Sequence, residues 1–238
     1  MAESTVIQAH HLSKSYGKTL ALNDVTLEVK KGEFFGFLGP NGAGKTTTIK
    51  VLTAQVNPDK GKASVMGIDI HNSIDVKEAI GIVPEVVLLP SFLTVEEYLE
   101  FVCNIRKVPL NKIEFWLTFT NLSESRSTLC KDLSQGMKQK LSFAAAFIHE
   151  PKLVFLDEPF ADVDPVMQNT FKTFLKEYVN EGGTIFLSTH ILEIAEKLCS
   201  RIAILTRGSI AKMGSVPELL KEGKDLEDVF LNLVKNHG

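Results

Sequence analysis

The stretch GPNGAGKTTT, residues 39–48, constrains the fold of this 238-residue chain more than any other feature. Its first eight residues match G-x-x-x-x-G-K-[ST], a pattern whose glycines let the backbone curl until successive N–H groups point at one anion. An apolar run, EFFGFL, precedes it, and a helical pattern, TTTIKVLTA, follows it. A strand, a glycine-rich turn and a helix in this order predict a phosphate-binding loop (P-loop) at the end of a strand.

The side chains of this loop have different expected tasks. Those expected to contact the phosphates of a bound nucleotide are Gly39, Pro40, Asn41, Gly42, Ala43, Gly44, Lys45, Thr46 and Thr47. The Lys45 ammonium is placed to bridge the terminal phosphates, and the Thr46 hydroxyl is placed to bind Mg²⁺. A glycine-rich turn that arose by chance is the alternative, and the flanking strand and helix argue against it. Kinases, GTPases, helicases and transport ATPases share this loop, so the rest of the chain must decide the function.

The composition narrows the class of protein. With 44% hydrophobic residues the chain is able to bury a sizeable core, in one large domain or in a domain with a subdomain. The net charge of −3 and the lack of a long Lys/Arg run give no electrostatic footprint for nucleic acid, so no such partner is expected. Cys103, Cys130 and Cys199 are widely spaced, which fits a reducing compartment. No apolar run approaches the roughly eighteen residues of a membrane-spanning helix, so we expect a cytoplasmic chain.

Two kinds of strand are predicted. Val25, Leu27 and Val29 alternate with polar residues, which is typical of a half-buried antiparallel strand. The runs EFFGFL, KLVFLDEP and GTIFLSTH are continuously apolar and are each followed by a helical pattern. Strands of this kind, buried on both faces and alternating with helices, predict a parallel α/β core.

Helical patterns fill the middle and the end of the chain. Thr94 and Glu97 form the sequence of a capping box that opens VEEYLEFVCNI, and Pro109 separates this helix from NKIEFWLTFTNL. Apolar residues at helical spacing predict two later amphipathic helices. The two sets are Ile191, Ile194, Ala195 and Leu198, followed by Leu226, Val229, Phe230 and Leu233.

Acidic and basic side chains stand at two further strand ends. Asp157 and Glu158 close the run LVFLDEP, and ligands of open α/β sheets bind beyond the carboxyl ends of the strands. There Asp157 would bind Mg²⁺, and Glu158 would orient or deprotonate the attacking water. His190 follows the next strand and is placed to donate to the γ-phosphate. The alternatives are an ordinary acidic strand end and a capping histidine.

A second anion-binding pattern, LSQGMKQKL, occupies residues 133–141. Ser134 reads as a helix cap, and Gly136, which lacks a Cβ, lets backbone N–H groups approach a charged ligand. A normal capped helix is the alternative.

The order of these motifs resembles that of the nucleotide-binding subunits of ATP-binding-cassette (ABC) transporters, over essentially the full chain. VPEVV resembles the family's glutamine loop, LSQGM its signature, FADVDP (residues 160–165) its aspartate loop and LSTH its switch histidine. The resemblance implies that Tyr16, in LSKSYG, stacks on the adenine of ATP. It also places Asp164 at the nucleotide and gives His190 the role of the switch histidine.

The same resemblance implies an assembly. Two cassettes dock head to tail around two MgATP, and Ser134 with the Gly136 backbone of each closes on the γ-phosphate bound by the other. The second ABC subunit is another copy or a different chain. Hydrolysis energises a separate integral-membrane permease, at the inner face of the cell membrane. The LSQGM form of the signature and the tail LEDVFLNLV resemble the branch that pairs with two-subunit exporters of drugs, lipids or polysaccharides.

The implied fold is α/β, with a P-loop NTPase core of mainly parallel sheet, an N-terminal antiparallel β subdomain and a helical signature subdomain. One ABC ATPase domain is expected over residues 1–238. In it, residues 1–87 and 150–238 form the catalytic core lobe, and residues 88–149 form the helical subdomain.

Two positions depart from the family pattern. Glu85 stands where many relatives have Gln. A carboxylate still binds Mg²⁺ but donates no hydrogen bond, so we expect Glu85 to bind the metal beside a groove for a permease helix. In the aspartate loop, Asp162 and Val163 replace the usual Gly-Leu. The Asp162 charge either slows dimer closure or pairs with a basic side chain of the partner.

Two other functions stay open at this point. One is a soluble ABC ATPase of DNA repair or translation control, although such relatives usually carry insertions or a second cassette that this sequence lacks. The other is a cassette that binds ATP and only regulates, against which Lys45, Glu158 and His190 argue.

Overall fold

The computed structural model describes residues 4–221, 223 and 225–236, and the strands in these residues form two sheets. In chain order the strands are β1 (Thr5–Tyr16), β2 (Thr19–Lys30), β3 (Phe34–Leu38), β4 (Lys60–Val65), β5 (Ile68–Asp69), β6 (Ile80–Val83), β7 (Leu153–Asp157), β8 (Thr184–Thr189), β9 (Arg201–Thr206) and β10 (Ser209–Ser215).

The helices connect these strands and close the chain. They are α1 (Lys45–Leu52), α2 (Ser73–Ala79), α3 (Val95–Arg106), α4 (Lys112–Phe119), α5 (Gln135–Phe147), α6 (Pro165–Asn180), α7 (Leu192–Leu198), α8 (Val216–Leu219) and α9 (Leu226–Asn236). None of the helices found between residues 4 and 236 is long and apolar enough to cross a membrane.

The six-stranded sheet positions the site. Its order is β10-β9-β3-β8-β7-β6, and every neighbouring pair is parallel except β10 with β9. Strands β3, β7 and β8 are buried along their whole length, which confirms the prediction from their apolar runs. Because these three strands are parallel neighbours, their carboxyl ends lie side by side. The P-loop, the acidic pair and His190 therefore emerge at one edge of the sheet.

Each face of this sheet has its own hydrophobic core, and β3 contributes to both. Phe34 and Leu38 belong to the core shared with α3, α4 and α5. Phe35 and Phe37 belong to the core shared with the other sheet and α1, where both rings lie within 5.5 Å of the Phe186 ring. The period of two along the strand thus fixes β3 between two apolar layers.

The second sheet is antiparallel, with the order β2-β1-β4-β5. Val25, Leu27 and Val29 of β2 are buried in its core, and the residues between them are exposed. The predicted half-buried strand is therefore confirmed, and the sheet covers the face of the parallel sheet that carries α1.

The helices between β6 and β7 follow their sequence signals. Thr94 Oγ1 accepts from Glu97 N at 3.2 Å, and the Glu97 carboxylate accepts from Thr94 N at 2.8 Å, so the predicted capping box is present. Helix α3 ends at Arg106, with Lys107 at a φ of 56°. Helix α4 then buries Trp116 and Leu117.

The two C-terminal amphipathic patterns are helical, with one correction. Ile194, Ala195 and Leu198 are buried on α7, but Ile191 precedes the helix in extended backbone and is 39% exposed. The prediction that Ile191 belongs to the apolar helical face is therefore wrong, because the helix begins at Leu192. In α9 the first two residues of the predicted set are buried and the last two are partly buried against the same core.

Candidate nucleotide-binding site

The P-loop occupies the turn between β3 and α1. Gly44, at a φ of 107°, precedes Lys45, the first residue of the helix. A Cβ on Gly44 would lie 2.5 Å from the Ala21 carbonyl oxygen, and one on Gly39 would lie 2.5 Å from that of Leu205. The loop is therefore packed against backbone on two sides, and only glycine fits at these two positions.

Lys45 and Thr46, in the first turn of α1, contact the residues around the P-loop. Lys45 is buried, and its Nζ donates to the carbonyl oxygens of Gly39 at 2.8 Å and Pro40 at 3.3 Å. This holds a positive charge inside the curl of the loop, where a phosphate would enter. Thr46 Oγ1 donates to Glu85 Oε2 at 3.3 Å, so the glutamine-loop position reaches the P-loop hydroxyl.

Asp157, the last residue of β7, is almost fully buried and accepts a short hydrogen bond from the Ser188 hydroxyl. Burial raises the pKa of the Asp157 carboxyl, and hydrogen bonds from Ser188 and Thr46 oppose this rise. The negative charges of Glu85 and Glu158 raise the same pKa further. The three acidic side chains therefore share one electrostatic environment at the P-loop.

Glu158 is the most constrained of these acids. Its φ of 47° lies in the left-handed region, which non-glycine residues rarely adopt, and its side chain is nearly buried. Its Oε2 accepts from Thr189 Oγ1 at 3.0 Å, and its Oε1 accepts from the backbone N–H of His190 at 2.9 Å. Lys45 Nζ lies 3.9 Å from Oε1. The surrounding donors thus fix the carboxylate beside the P-loop.

His190 contacts the same carboxylate through its ring. Its Nδ1 lies 2.8 Å from Glu158 Oε1, and its side chain is 57% exposed. Sequence reasoning placed both residues at the γ-phosphate but missed their direct contact. It also missed Ser188 and Thr189, whose hydroxyls bind the two acids; the polar ending of the run TIFLST was the available signal.

A cleft of about 250 Å³ lies at the P-loop. Asn41, Gly42 and residues 44–47 line one side, Glu85 and Glu158 line another, and residues 19–21 complete it. Tyr16 does not line this cleft, although its hairpin partner Thr19 does, and the Tyr16 ring is about half exposed. Its role in adenine stacking stays a prediction.

The signature residues lie outside the cleft of their own P-loop. Ser134 is exposed and caps α5, because its Oγ accepts from Met137 N at 3.2 Å. Asp164 caps α6 in the same way through Met167 N at 2.9 Å and forms an ion pair with Lys140 at 3.6 Å. In the chain alone, both residues have structural contacts that account for their positions.

Gly136 has a packing role that the sequence did not reveal. A Cβ at this position would lie 2.5 Å from the Asp162 carbonyl oxygen of the aspartate loop. Because Gly136 has no side chain, helix α5 (the signature helix) and the aspartate loop pack closely within one chain.

A parallel sheet that presents a P-loop, a buried lysine and two carboxylates at one edge defines the class of P-loop nucleotide-binding proteins. The sequence profile of the ABC transporter family matches residues 22–161. The chain belongs to this family, and it is an ATP-binding ABC ATPase domain.

The relatives agree with this assignment. A probable multidrug ABC transporter ATP-binding protein, YbhF of Escherichia coli K12, is 33% identical over 97% of this chain, which spans 42% of that relative's length. Nod factor export ATP-binding protein I of Rhizobium leguminosarum is 36% identical over 89% of this chain and 70% of its own length. A solved ATP-binding subunit of an ABC transporter is 31% identical with a TM-score of 0.90, covering 96% of this chain and 99% of its own.

Proposed function

We propose that the chain hydrolyses MgATP and that this hydrolysis drives a separate integral-membrane permease, for export. The observation that carries the proposal is the Glu158 carboxylate, which three donors and the Lys45 ammonium hold at the mouth of the P-loop. A carboxylate fixed at this place is suited to orient water for attack on the γ-phosphate. Two of the relatives are by name a multidrug transporter protein and an export protein, which supports the direction.

The side chains and backbone N–H groups of the site have separate roles around the phosphates. Lys45 neutralises the terminal phosphates, and the loop N–H groups orient them. Glu158 positions the water and takes up its proton, while the His190 ring holds the Glu158 carboxylate and reaches the γ-phosphate. Bulk water has little access to the Glu158 carboxylate, because this side chain is nearly buried.

The donors at the site fit Mg²⁺. Thr46, Asp157 and Glu85 offer hard oxygen ligands in one region, and the Thr46 hydroxyl already touches Glu85. The part of the chain that the structure describes holds no group of three His, Cys, Asp or Glu placed to bind a metal alone. That fits a cation that takes its remaining ligands from phosphate and water. When bound, Mg²⁺ would neutralise charge on the β- and γ-phosphates.

A second cassette completes the site in this proposal. Ser134 and Gly136 do not line the cleft of their own P-loop, yet the exposed N-terminus of α5 carries free N–H groups suited to an anion. Two chains docked head to tail would bring each signature to the γ-phosphate on the other P-loop. ATP then stabilises the closed pair, because it contacts both chains only in that state.

The permease would dock at a groove between α3 and the end of β6. This groove, of about 400 Å³, is lined by Leu88, whose apolar side chain is 87% exposed. Arg106 at the end of α3 donates to the carbonyl oxygens of Lys77 and Glu78 at the end of α2. A helix seated here would contact both the core and the helical region. We propose that the chain thereby lies at the inner face of the membrane.

The division of the chain is part of the same proposal. Residues 1–87 and 150–238 would act as the core lobe that binds ATP, and residues 88–149 as the helical subdomain that presents the signature. Arg106 links the two, because it donates to carbonyl oxygens at the end of α2 and to that of Ile80, the first residue of β6.

Capture from detergent-solubilised membranes tests the permease. We expect the tagged chain to retain a polytopic membrane protein, and Leu88→Asp to lose it while MgATP binding is unchanged, because Leu88 is 87% exposed and does not line the P-loop cleft. Ile74→Asp is the control, because Ile74 is an apolar residue on α2 that is 72% exposed and does not line the groove. Retention of ribosomes or DNA in place of a membrane protein would contradict the proposal and favour the soluble ABC ATPases.

A further inference from the structure

The aspartate loop spans the distance between the two halves of the nucleotide site. It begins two residues after Glu158, whose carboxylate lies at the P-loop. Further along the loop, the Asp162 carbonyl packs against Gly136 and Asp164 pairs with Lys140, and both of these partners lie on the signature helix, α5. In each chain this loop therefore lies between the P-loop and the signature.

Two-fold symmetry decides what this loop faces in the head-to-tail pair, and this step rests on the function proposed above. The two-fold axis brings the P-loop of one chain onto the signature of the other, and the reverse. A segment that lies between two surfaces exchanged by the axis lies near the axis itself. Each aspartate loop would consequently face its own copy.

Asp162 is the residue whose unpaired charge would lie opposite its own copy at the two-fold axis. Asp164 is paired with Lys140 and caps α6, so its charge is partly neutralised. Lys172, a further cation near the loop, lies over the Phe160 ring with its Nζ 5.4 Å from the ring centre. Asp162 is exposed, and among the described residues its carboxylate has no ion pair or hydrogen bond. Its backbone is fixed at a φ of 58° against Gly136.

We propose that Asp162 selects the partner cassette: it disfavours closure of two copies of this chain and favours a different cassette with a neutral or basic side chain at the matching position. Two copies would bring like charges together, whereas a lysine or arginine opposite Asp162 would pair with it. A repulsive element of this kind gives specificity without contacting the nucleotide.

Charge swaps at this position test the proposal in a Glu158→Gln background, in which slow turnover keeps MgATP bound. Asp162→Asn keeps the shape and tolerates the left-handed backbone. We expect its homodimer to form roughly fivefold more tightly than that of the Asp162 chain, measured by sedimentation with MgATP. A mixed pair of Asp162 and Asp162→Lys chains should be tighter than either homodimer. These differences should shrink between about 0.05 M and about 0.5 M salt.

Glu181→Gln is the matched control, because it removes one charge at the opposite end of α6 from Asp164, about 24 Å away. It should leave dimerisation unchanged. If Asp162→Asn dimerises no better and the mixed pair is no tighter, while Ser134→Arg abolishes the dimer, the selection by Asp162 is wrong and the head-to-tail pair stands. If no variant forms an MgATP-dependent dimer, both the selection and the head-to-tail pair are wrong.

Discussion

The P-loop edge and the signature edge of this chain differ in how much of their chemistry is already satisfied internally. At the P-loop edge, Lys45, Asp157 and Glu158 are buried and held by protein donors and acceptors. At the signature edge, Ser134 and Asp162 are exposed, and Ser134 Oγ accepts one hydrogen bond, from Met137 N of its own helix. One half of the site is thus preorganised within the chain, and in the function proposed above the other half acts only against a second cassette.

The same difference appears in what holds each edge. Three parallel strands determine the P-loop edge, and their hydrogen-bonded register fixes the distances between its side chains. At the signature edge, Gly136 contacts the aspartate loop, Asp164 forms an ion pair with Lys140, and Gln168 donates to the carbonyl oxygens of Phe160 and Val163. These contacts join loops and helix ends, and no strand register fixes their distances.

The largest expected effect is on turnover, from Glu158→Gln at the preorganised edge. Gln keeps the size of the side chain but does not accept a proton from water, so we expect ATP turnover to fall by roughly 10²–10⁴-fold. Phosphate release and nucleotide binding should be measured together, with Glu124→Gln on the surface as control. Turnover that stays intact would show that another group is the base.

A smaller but still large effect is expected from Lys45→Ala on MgATP affinity. Removing the buried ammonium leaves phosphate charge uncompensated, and we expect the Kd to rise by about a hundredfold. Titration calorimetry measures this, and Lys50→Ala, on the exposed side of the same helix, is the control. An unchanged MgATP affinity would show that Lys45 does not bind the phosphates.

Ser134→Arg should have the smallest effect on the binding of MgATP to the monomer. The signature lies outside its own cleft, so we expect MgATP affinity of the monomer to change less than about twofold, while MgATP-dependent dimers and turnover are lost. Ser134→Ala controls for the lost cap, which contributes about 1 kcal/mol. A large loss of MgATP binding by the monomer would instead show that the signature contacts the ATP held by the P-loop of the same chain.

Much of the P-loop edge was predictable because its signals are local. The apolar runs predicted β3, β7 and β8, and parallel pairing then required their ends to meet. The prediction for Ile191 was wrong because Ile191 has the apolar spacing of the helical face, but the helix begins only at the next residue, Leu192. The partners of Asp157 and Glu158 escaped prediction, since Ser188 and Thr189 lie more than thirty residues away along the chain.

The sequence by itself determined the strand and helix types, the caps at Thr94 and Ser134, and the residues at the strand ends. Hydrophobic period and capping act over a few residues, so they can be read along the chain. Only the tertiary structure decided that His190 and Thr189 fix Glu158, and that Gly136 packs on the carbonyl of Asp162. These contacts join segments far apart in the sequence, and they depend on strand order and on backbone distances that no local pattern encodes.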